Sequence, residues 1–163
     1  MKYIILFFIV LISFSTVQAQ PTTFILIRHA EKGNDGTKDP DLTEAGTKRA
    51  QLLATLLKKT QVDAIYSTAY KRTRNTVSPL ATAKGLPVSD YEAFKTGEID
   101  QMLKKNSGGT VVISGHSNNI PWIANYLTGK ETYKDFEDSE YENLLIVTIV
   151  EKGKNAKVVW LSY

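Results

Sequence analysis

The chain contains two histidines, His29 and His116, and each closes a short apolar run. His29 follows Phe24-Ile25-Leu26-Ile27 and Arg28, while His116 follows Val111-Val112-Ile113 and Ser114-Gly115. Apolar runs of this length read as strands buried on both faces, the pattern of a parallel sheet. Ligands of open α/β sheets sit beyond the carboxyl ends of such strands. If the two strands are parallel neighbours, both imidazoles converge at one edge of the sheet. One histidine in such a place is more often a structural or surface residue; both of them at equivalent strand ends reverses that weighting. Arginines add to the pattern. Arg28 precedes His29, and Arg72 and Arg74 fall in the first turns after the strand signal Val62–Tyr66. A planar guanidinium binds phosphate oxygens bidentately, which lysine cannot match. The helix opening after His116 would present free N–H groups to an anion. The set suits a tetrahedral dianion.

The elements that must position these residues alternate between strand and helix, which predicts an α/β layer fold with a largely parallel sheet. A helix is expected to start in Asp41-Leu42-Thr43-Glu44, with Asp41 or Thr43 as its cap, and to run to about Lys59. Its buried face would hold Leu42, Ala45, Leu52, Leu53, Leu56 and Leu57. Gly46 inside its first turns costs roughly 1 kcal/mol relative to alanine, and a close approach of neighbouring backbone would account for it. A second helix follows Thr68, with a kink or break expected at Pro79 and a stop at Gly85. Pro87–Tyr91 reads as a short strand and Glu98–Lys105 as a weak helix. After His116, Asn118 or Asn119 caps a helix that has Pro121 in its first turn and Gly129 at its end. Leu144–Val150 and Lys157–Leu161 are expected to pair antiparallel through Lys152-Gly153-Lys154-Asn155. Trp122, Tyr126 and Leu127 read as core; Tyr66 and Tyr70 read as either core or pocket wall.

Length and composition bound the rest. The 163 residues suffice for one domain with a substantial core. Met1-Lys2, the apolar run Tyr3–Phe14 and Val17-Gln18-Ala19-Gln20 resemble a Sec-type signal peptide cut after Ala19. The expected organisation is therefore a signal peptide over 1–19 and one domain over 20–163, exported to the periplasm or beyond the cell, with an uncleaved anchor as the other reading. Cysteine is absent, which excludes a disulfide framework, thiolate chemistry and Cys-based metal sites. Lysine plus arginine number 20 against 17 acidic residues, too mild an excess to argue for nucleic acid or a membrane surface as partner.

Four stretches together resemble the histidine phosphatase superfamily, the phosphoglycerate mutase-like fold. Ile27-Arg28-His29-Ala30-Glu31 is similar to its Arg-His-Gly signature, and Leu42-Thr43-Glu44-Ala45-Gly46 to its Leu-Thr-x-x-Gly helix start. Thr68-Ala69-Tyr70-Lys71-Arg72-Thr73-Arg74-Asn75-Thr76 is similar to its Ser-x-Leu-x-Arg-Ala-x-x-Thr block, and Val111–Ser117 to the strand carrying its second histidine. The resemblance implies a three-layer α/β/α sandwich with a mostly parallel central sheet. It implies His29 as the nucleophile that becomes phosphohistidine, with Arg28, Arg72 and His116 holding the phosphoryl group, and no metal or other cofactor. The chemistry is coherent: a neutral imidazole is nucleophilic near neutral pH, and phosphoryl transfer needs in-line positioning and neutralisation of oxygen charge.

The chain departs from the family where a proton donor is needed. Asp90-Tyr91-Glu92-Ala93-Phe94-Lys95-Thr96-Gly97 matches the Leu-x-Glu-x-x-x-Gly stretch imperfectly, and Ser117-Asn118 replaces the aspartate that another branch carries after its second histidine. Glu92 is the candidate general acid, with Glu31 and Asp90 behind it and a solvated loop carboxylate as its plain alternative. A missing acid would point to substrates with good leaving groups, such as phosphoramidates or anhydrides. The expected activity is a phosphohydrolase on a phosphorylated small molecule or phosphoprotein, with mutase action disfavoured because the insertions of the family's mutases are absent. A phospho-ligand binding module of the same fold is the second reading, and a metallohydrolase a weaker third.

Overall fold

The computed structural model describes residues 20–163, so the expected signal peptide over 1–19 lies outside the described residues. In chain order the elements are β1 (Thr22–Arg28), α1 (Glu44–Leu56), β2 (Ala64–Ser67), α2 (Lys71–Lys84), β3 (Val88–Asp90), α3 (Thr96–Lys105), β4 (Thr110–Gly115), α4 (Asn119–Thr128), β5 (Asn143–Glu151) and β6 (Asn155–Ser162). They form one six-stranded sheet in the order β3-β2-β4-β1-β5-β6. It is parallel from β3 to β1, while β5 runs antiparallel to β1 and β6 antiparallel to β5.

The apolar runs are buried on both faces because helices cover both. Phe24 and Leu26 of β1 join Val111 and Ile113 of β4 in a core with Ile99 and Met102 of α3 and Ile120 and Ile123 of α4. The intervening residues Ile25, Ile27 and Val112 face the other way, onto Leu53 of α1 and Val77 and Leu80 of α2. Full burial of each such side chain is worth about 1.5–3 kcal/mol, and the period-2 alternation divides that gain between two helical layers. The result is the three-layer sandwich.

Thr43 is the cap of α1: its Oγ1 accepts the Gly46 N–H at 3.1 Å. The helix ends at Leu56, short of Lys59, and its buried stripe is narrower than expected, formed by Gly46, Ala50 and Leu53. Leu52 and Leu56 are exposed, and Ala45 lies outside the stripe as well. The reason is that α1 packs chiefly against α2, with Leu53 reaching Ile25 and Ile27 of the sheet layer, so its wider apolar arc has no partner. Gly46 has the close approach expected of it: a Cβ there would lie 2.2 Å from the Glu31 carbonyl oxygen.

Of the kink or break expected at Pro79, there is no break: helix α2 runs through it. The carbonyl that Pro79 deprives of a partner belongs to Asn75, on the exposed face, where water can take over the bond. Gly85 and Gly129 close α2 and α4 in the left-handed conformation, with φ of 64° and 68°.

Candidate active site

Parallel pairing brings four strand ends to one edge. Arg28 stands opposite Gly115, while Ser67 is paired with Ser114 on one side and Asp90 on the other. The residues that follow are therefore neighbours: His29 after β1, Thr68 to Tyr70 after β2, Tyr91 and Glu92 after β3, and His116 after β4. The His29 N–H donates to the Gly115 carbonyl at 2.8 Å, which continues the β1–β4 ladder one step into the site. The two imidazole rings lie 5.5 Å apart, centroid to centroid, at 68°.

His29 is buried, and its Nδ1 lies 2.8 Å from the Ala30 carbonyl oxygen. Since a carbonyl only accepts, Nδ1 carries the proton and Nε2 keeps its lone pair. Burial lowers the His29 pKa to about 3, assisted by the charges of Arg28 and Arg72, so the ring is neutral at neutral pH. The Ala30 N–H donates to Thr76 Oγ1 at 2.8 Å, and Thr76 in turn donates to the Arg72 carbonyl. This pair of bonds ties the loop after β1 to the first turns of α2. On its other side, Glu31 accepts two bonds from the Arg49 Nε at 3.0 Å each and one from Nη2 at 2.7 Å.

Arg28 is buried at the end of β1, and the segment between α4 and β5 wraps over it. Its Nη1 donates to the carbonyls of Glu137 at 2.6 Å and Glu140 at 3.0 Å, and its Cζ lies 4.3 Å from the Tyr141 ring centroid. Its Nε is a buried donor with no hydrogen-bond partner among the described residues, and the same holds for Arg72 Nε. Arg72 Cζ lies 4.3 Å from the Tyr70 ring centroid, and its Nη1 is 3.4 Å from Asp39 Oδ1. Asp39 also accepts the Lys71 N–H at 3.0 Å, which caps α2 where Tyr70 provides no side-chain cap.

His116 Nε2 is 3.0 Å from Thr68 Oγ1. The Thr73 hydroxyl donates to the carbonyls of Thr68 and Tyr70, while the Thr68 hydroxyl donates to Thr73 Oγ1 at 3.0 Å. With that proton committed, Thr68 can only accept from His116, so Nε2 is the protonated nitrogen of this ring. Burial, followed by Arg72 and Arg28, lowers the His116 pKa to about 4. In this neutral tautomer the ring's one N–H is given to Thr68, and Nδ1 keeps its lone pair.

The structure separates the three carboxylates considered as acids. Glu31 is taken by Arg49, which holds its pKa below the ordinary glutamate value. Asp90 is ion-paired with Arg74, so Arg74 is directed away from the histidines to a carboxylate at the sheet edge. Glu92 lines a cavity of about 470 Å³ together with Tyr70, Arg72, Tyr91, Phe94 and His116, and its exposed carboxylate pairs with Lys95 at 2.5 Å. Tyr70 is thus pocket wall, whereas Tyr66 is core. Among the described residues, no group of three or more His, Cys, Asp or Glu side chains is placed to hold a metal ion.

Sequence reasoning missed Asp39, Thr73, Tyr141 and the carbonyls of Glu137 and Glu140. Tyr141 is 113 positions from Arg28 in the chain, and carbonyl acceptors carry no side-chain signature. Thr73, which stands in the position of the family block's alanine, was the one visible sign.

Comparison with known proteins agrees with this geometry. The sequence model of the histidine phosphatase superfamily (branch 1) matches residues 24–96, an interval that includes Arg28, His29 and Arg72. Phosphoserine phosphatase 1 of Hydrogenobacter thermophilus is 46% identical over 70 residues, 39% of this chain and 33% of the relative, so the match spans about a third of that protein's length. The solved structure of the protein histidine phosphatase SixA complexed with tungstate aligns with a TM-score of 0.70 at 17% identity, covering 86% of this chain and 96% of that one. Phosphoglycerate mutase from Bacillus anthracis aligns with a TM-score of 0.67 at 14% identity, covering 90% and 94%. These structural likenesses establish the phosphoglycerate mutase-like fold.

Proposed function

We propose, from the premise that the chain belongs to the histidine phosphatase superfamily, that it is a metal-independent phosphohydrolase working through a phosphohistidine on His29. The observation that carries this reading is the state of His29: buried, neutral, its Nδ1–H tied to the Ala30 carbonyl and its Nε2 lone pair unprotonated. A phosphoryl group between the two imidazoles would meet Arg28 and Arg72, whose unpartnered Nε donors suit its equatorial oxygens. Nε2 then attacks phosphorus as the bond to the leaving oxygen or nitrogen breaks. The Ala30 carbonyl stabilises the positive charge that develops on the ring. Water next attacks the phosphohistidine, the P–N bond breaks, and His29 returns to its starting tautomer with release of phosphate.

Glu92 is our choice of proton donor, because it is the one of the three candidate carboxylates that lines the cavity. Its exposure and its pairing with Lys95 make it a weakly preorganised acid, which favours substrates whose leaving groups need little protonation. The similar proteins include a phosphoserine phosphatase and a protein histidine phosphatase, and both substrate types fall within the proposed class of phosphorylated small molecules and phosphoproteins. Export with cleavage after Ala19 is part of the proposal and is supported by the residue pattern of 1–19.

The test is to incubate the protein with p-nitrophenyl phosphate in the presence of chelator, beside His29→Ala, and to quench for acid-labile phosphate on the chain. Turnover and a labile adduct are expected, both lost in the variant. One observation favours a second reading, a phospho-ligand binding module: Arg28 Nη1 is already engaged by two carbonyls. Phosphate-dependent thermal stabilisation without turnover or adduct would select it.

A further inference from the structure

The cavity changes character away from Arg72 and His116, and we propose that this second half seats a planar aromatic leaving group, making aromatic phosphate monoesters the substrate class. The inference rests on the phosphohydrolase reading. Two large rings line the cavity while remaining accessible: Tyr70 is 42% exposed and Phe94 49%. Tyr70 is fixed by its face against Arg72 and by an edge contact with His116 at 5.0 Å. Its ring therefore begins where the phosphoryl pocket ends.

Phe94 is held at φ 62°, the one positive φ at a non-glycine position among the described residues. That conformation disfavours a side chain, and a phenyl ring left half in water gains little from it in the free protein. The ring is nevertheless braced: it meets Trp122 at 5.5 Å and 69°, and Trp122 stacks on Tyr126 at 5.6 Å and 4°. Strain and bracing together aim an apolar ring at the cavity.

The remaining wall gives a polar leaving group little to bind. Ala69 and Ala93 have no polar side-chain atom, and the Tyr91 hydroxyl already accepts the Asn119 amide at 2.8 Å. A flat ring, by contrast, can stack or meet edge-on with Tyr70 and Phe94, and about 470 Å³ is room for a phosphoryl group and one ring system. The chemistry agrees, because a phenolate departs with less help from an acid than an alkoxide does.

The test compares non-hydrolysable probes that share one phosphonate group: methylphosphonate, cyclohexylphosphonate and phenylphosphonate, titrated by calorimetry into the wild type and Phe94→Gly. Glycine accepts the positive φ, which offsets part of the lost Trp122 contact, so the variant should stay folded at the titration temperature, as a thermal melt checks. Phenylphosphonate should bind roughly tenfold tighter than methylphosphonate to the wild type, and that ratio should fall to about threefold or less in the variant. Methylphosphonate affinity should be unchanged. Equal binding of phenyl and methyl probes, a cyclohexyl probe as tight as phenyl, or a phenyl preference that survives Phe94→Gly would each overturn the aromatic seat while leaving the phosphohydrolase reading standing. Failure of all three probes to bind the folded protein would overturn that reading, and the inference with it.

Discussion

Arg28, His29 and His116 stand at the ends of two hydrogen-bonded central strands, whereas Glu92 and Phe94 stand on a short segment after the edge strand β3. The first group is buried or half-buried, and its orientation follows from the ladder, the Ala30 carbonyl and the hydroxyls of Thr68 and Thr73. The second group is exposed, held by one ion pair and by aromatic contacts. The difference teaches a division of labour. In the proposed function the sheet would supply a dry, rigid phosphoryl pocket common to any substrate, and the loop the surface that distinguishes one leaving group from another. Each of the two claims can be broken separately.

The largest effect should come from the phosphoryl pocket. Arg72→Ala removes the guanidinium that lines the cavity at the first turn of α2, while Arg74 beside it is paired with Asp90. A loss of about 10³-fold in kcat/KM, roughly 4 kcal/mol of transition-state stabilisation, is expected. Because the contact is to the transferring group, the loss should be the same for aryl and alkyl phosphates measured side by side. A loss that grew with leaving-group basicity would mean that Arg72 serves the other end of the cavity.

Dryness makes a prediction about pH. Both histidines have folded pKa values, about 3 and about 4, below the unfolded value near 6.5. The unfolded chain then binds more protons than the folded one, so stability rises with pH. This contribution is fully present above about pH 6.5 and is lost as pH falls toward 4 and then 3. Near pH 5, unfolding should take up close to two protons into these rings, so stability should change by about 2.5 kcal/mol per pH unit. Chemical denaturation across pH 5 to 7 measures the slope, and His116→Asn should remove about half of it. The carboxylates held low by hydrogen bonds, Glu31 and Asp63 among them, act with the same sign at lower pH and leave this window to the histidines. A flat profile would show that the pocket is wet.

How legible the site was in the sequence follows the same division. Arg28, His29 and His116 could be placed because their positions depend on strand ends, and strands buried on both faces announce themselves as unbroken apolar runs. Gly46 was legible for a related reason, since a helical glycine needs a neighbour to explain it. The direction of β5 was not legible beforehand: Leu144–Val150 is apolar enough for either orientation, and only its place beside β1 settles it. Nor could the residues that cover the pocket be read. Asp39 caps a helix 32 residues away, and the Glu137 and Glu140 carbonyls reach Arg28 from the segment after α4. Such contacts depend on the folded path of loops, and no periodicity encodes them. Leu52 and Leu56 mark the opposite failure, apolar residues at helical spacing that the packing of α1 against α2 leaves outside.

The smallest expected effect concerns the loop. Glu92→Gln retains shape and hydrogen-bonding capacity but removes the proton that we assign to the leaving group. An exposed, ion-paired acid should contribute at the low end of general acid catalysis, so a fall of about tenfold in kcat is expected for an alkyl phosphate. For an aryl phosphate, whose phenolate needs little protonation, the change should stay within about threefold. The split between the two substrates is the informative quantity, because a structural disturbance of the loop would slow both alike. Equal rates with and without the carboxylate on both substrates would remove Glu92 from the chemistry. Selectivity at that end of the cavity would then rest on Tyr70 and Phe94 alone.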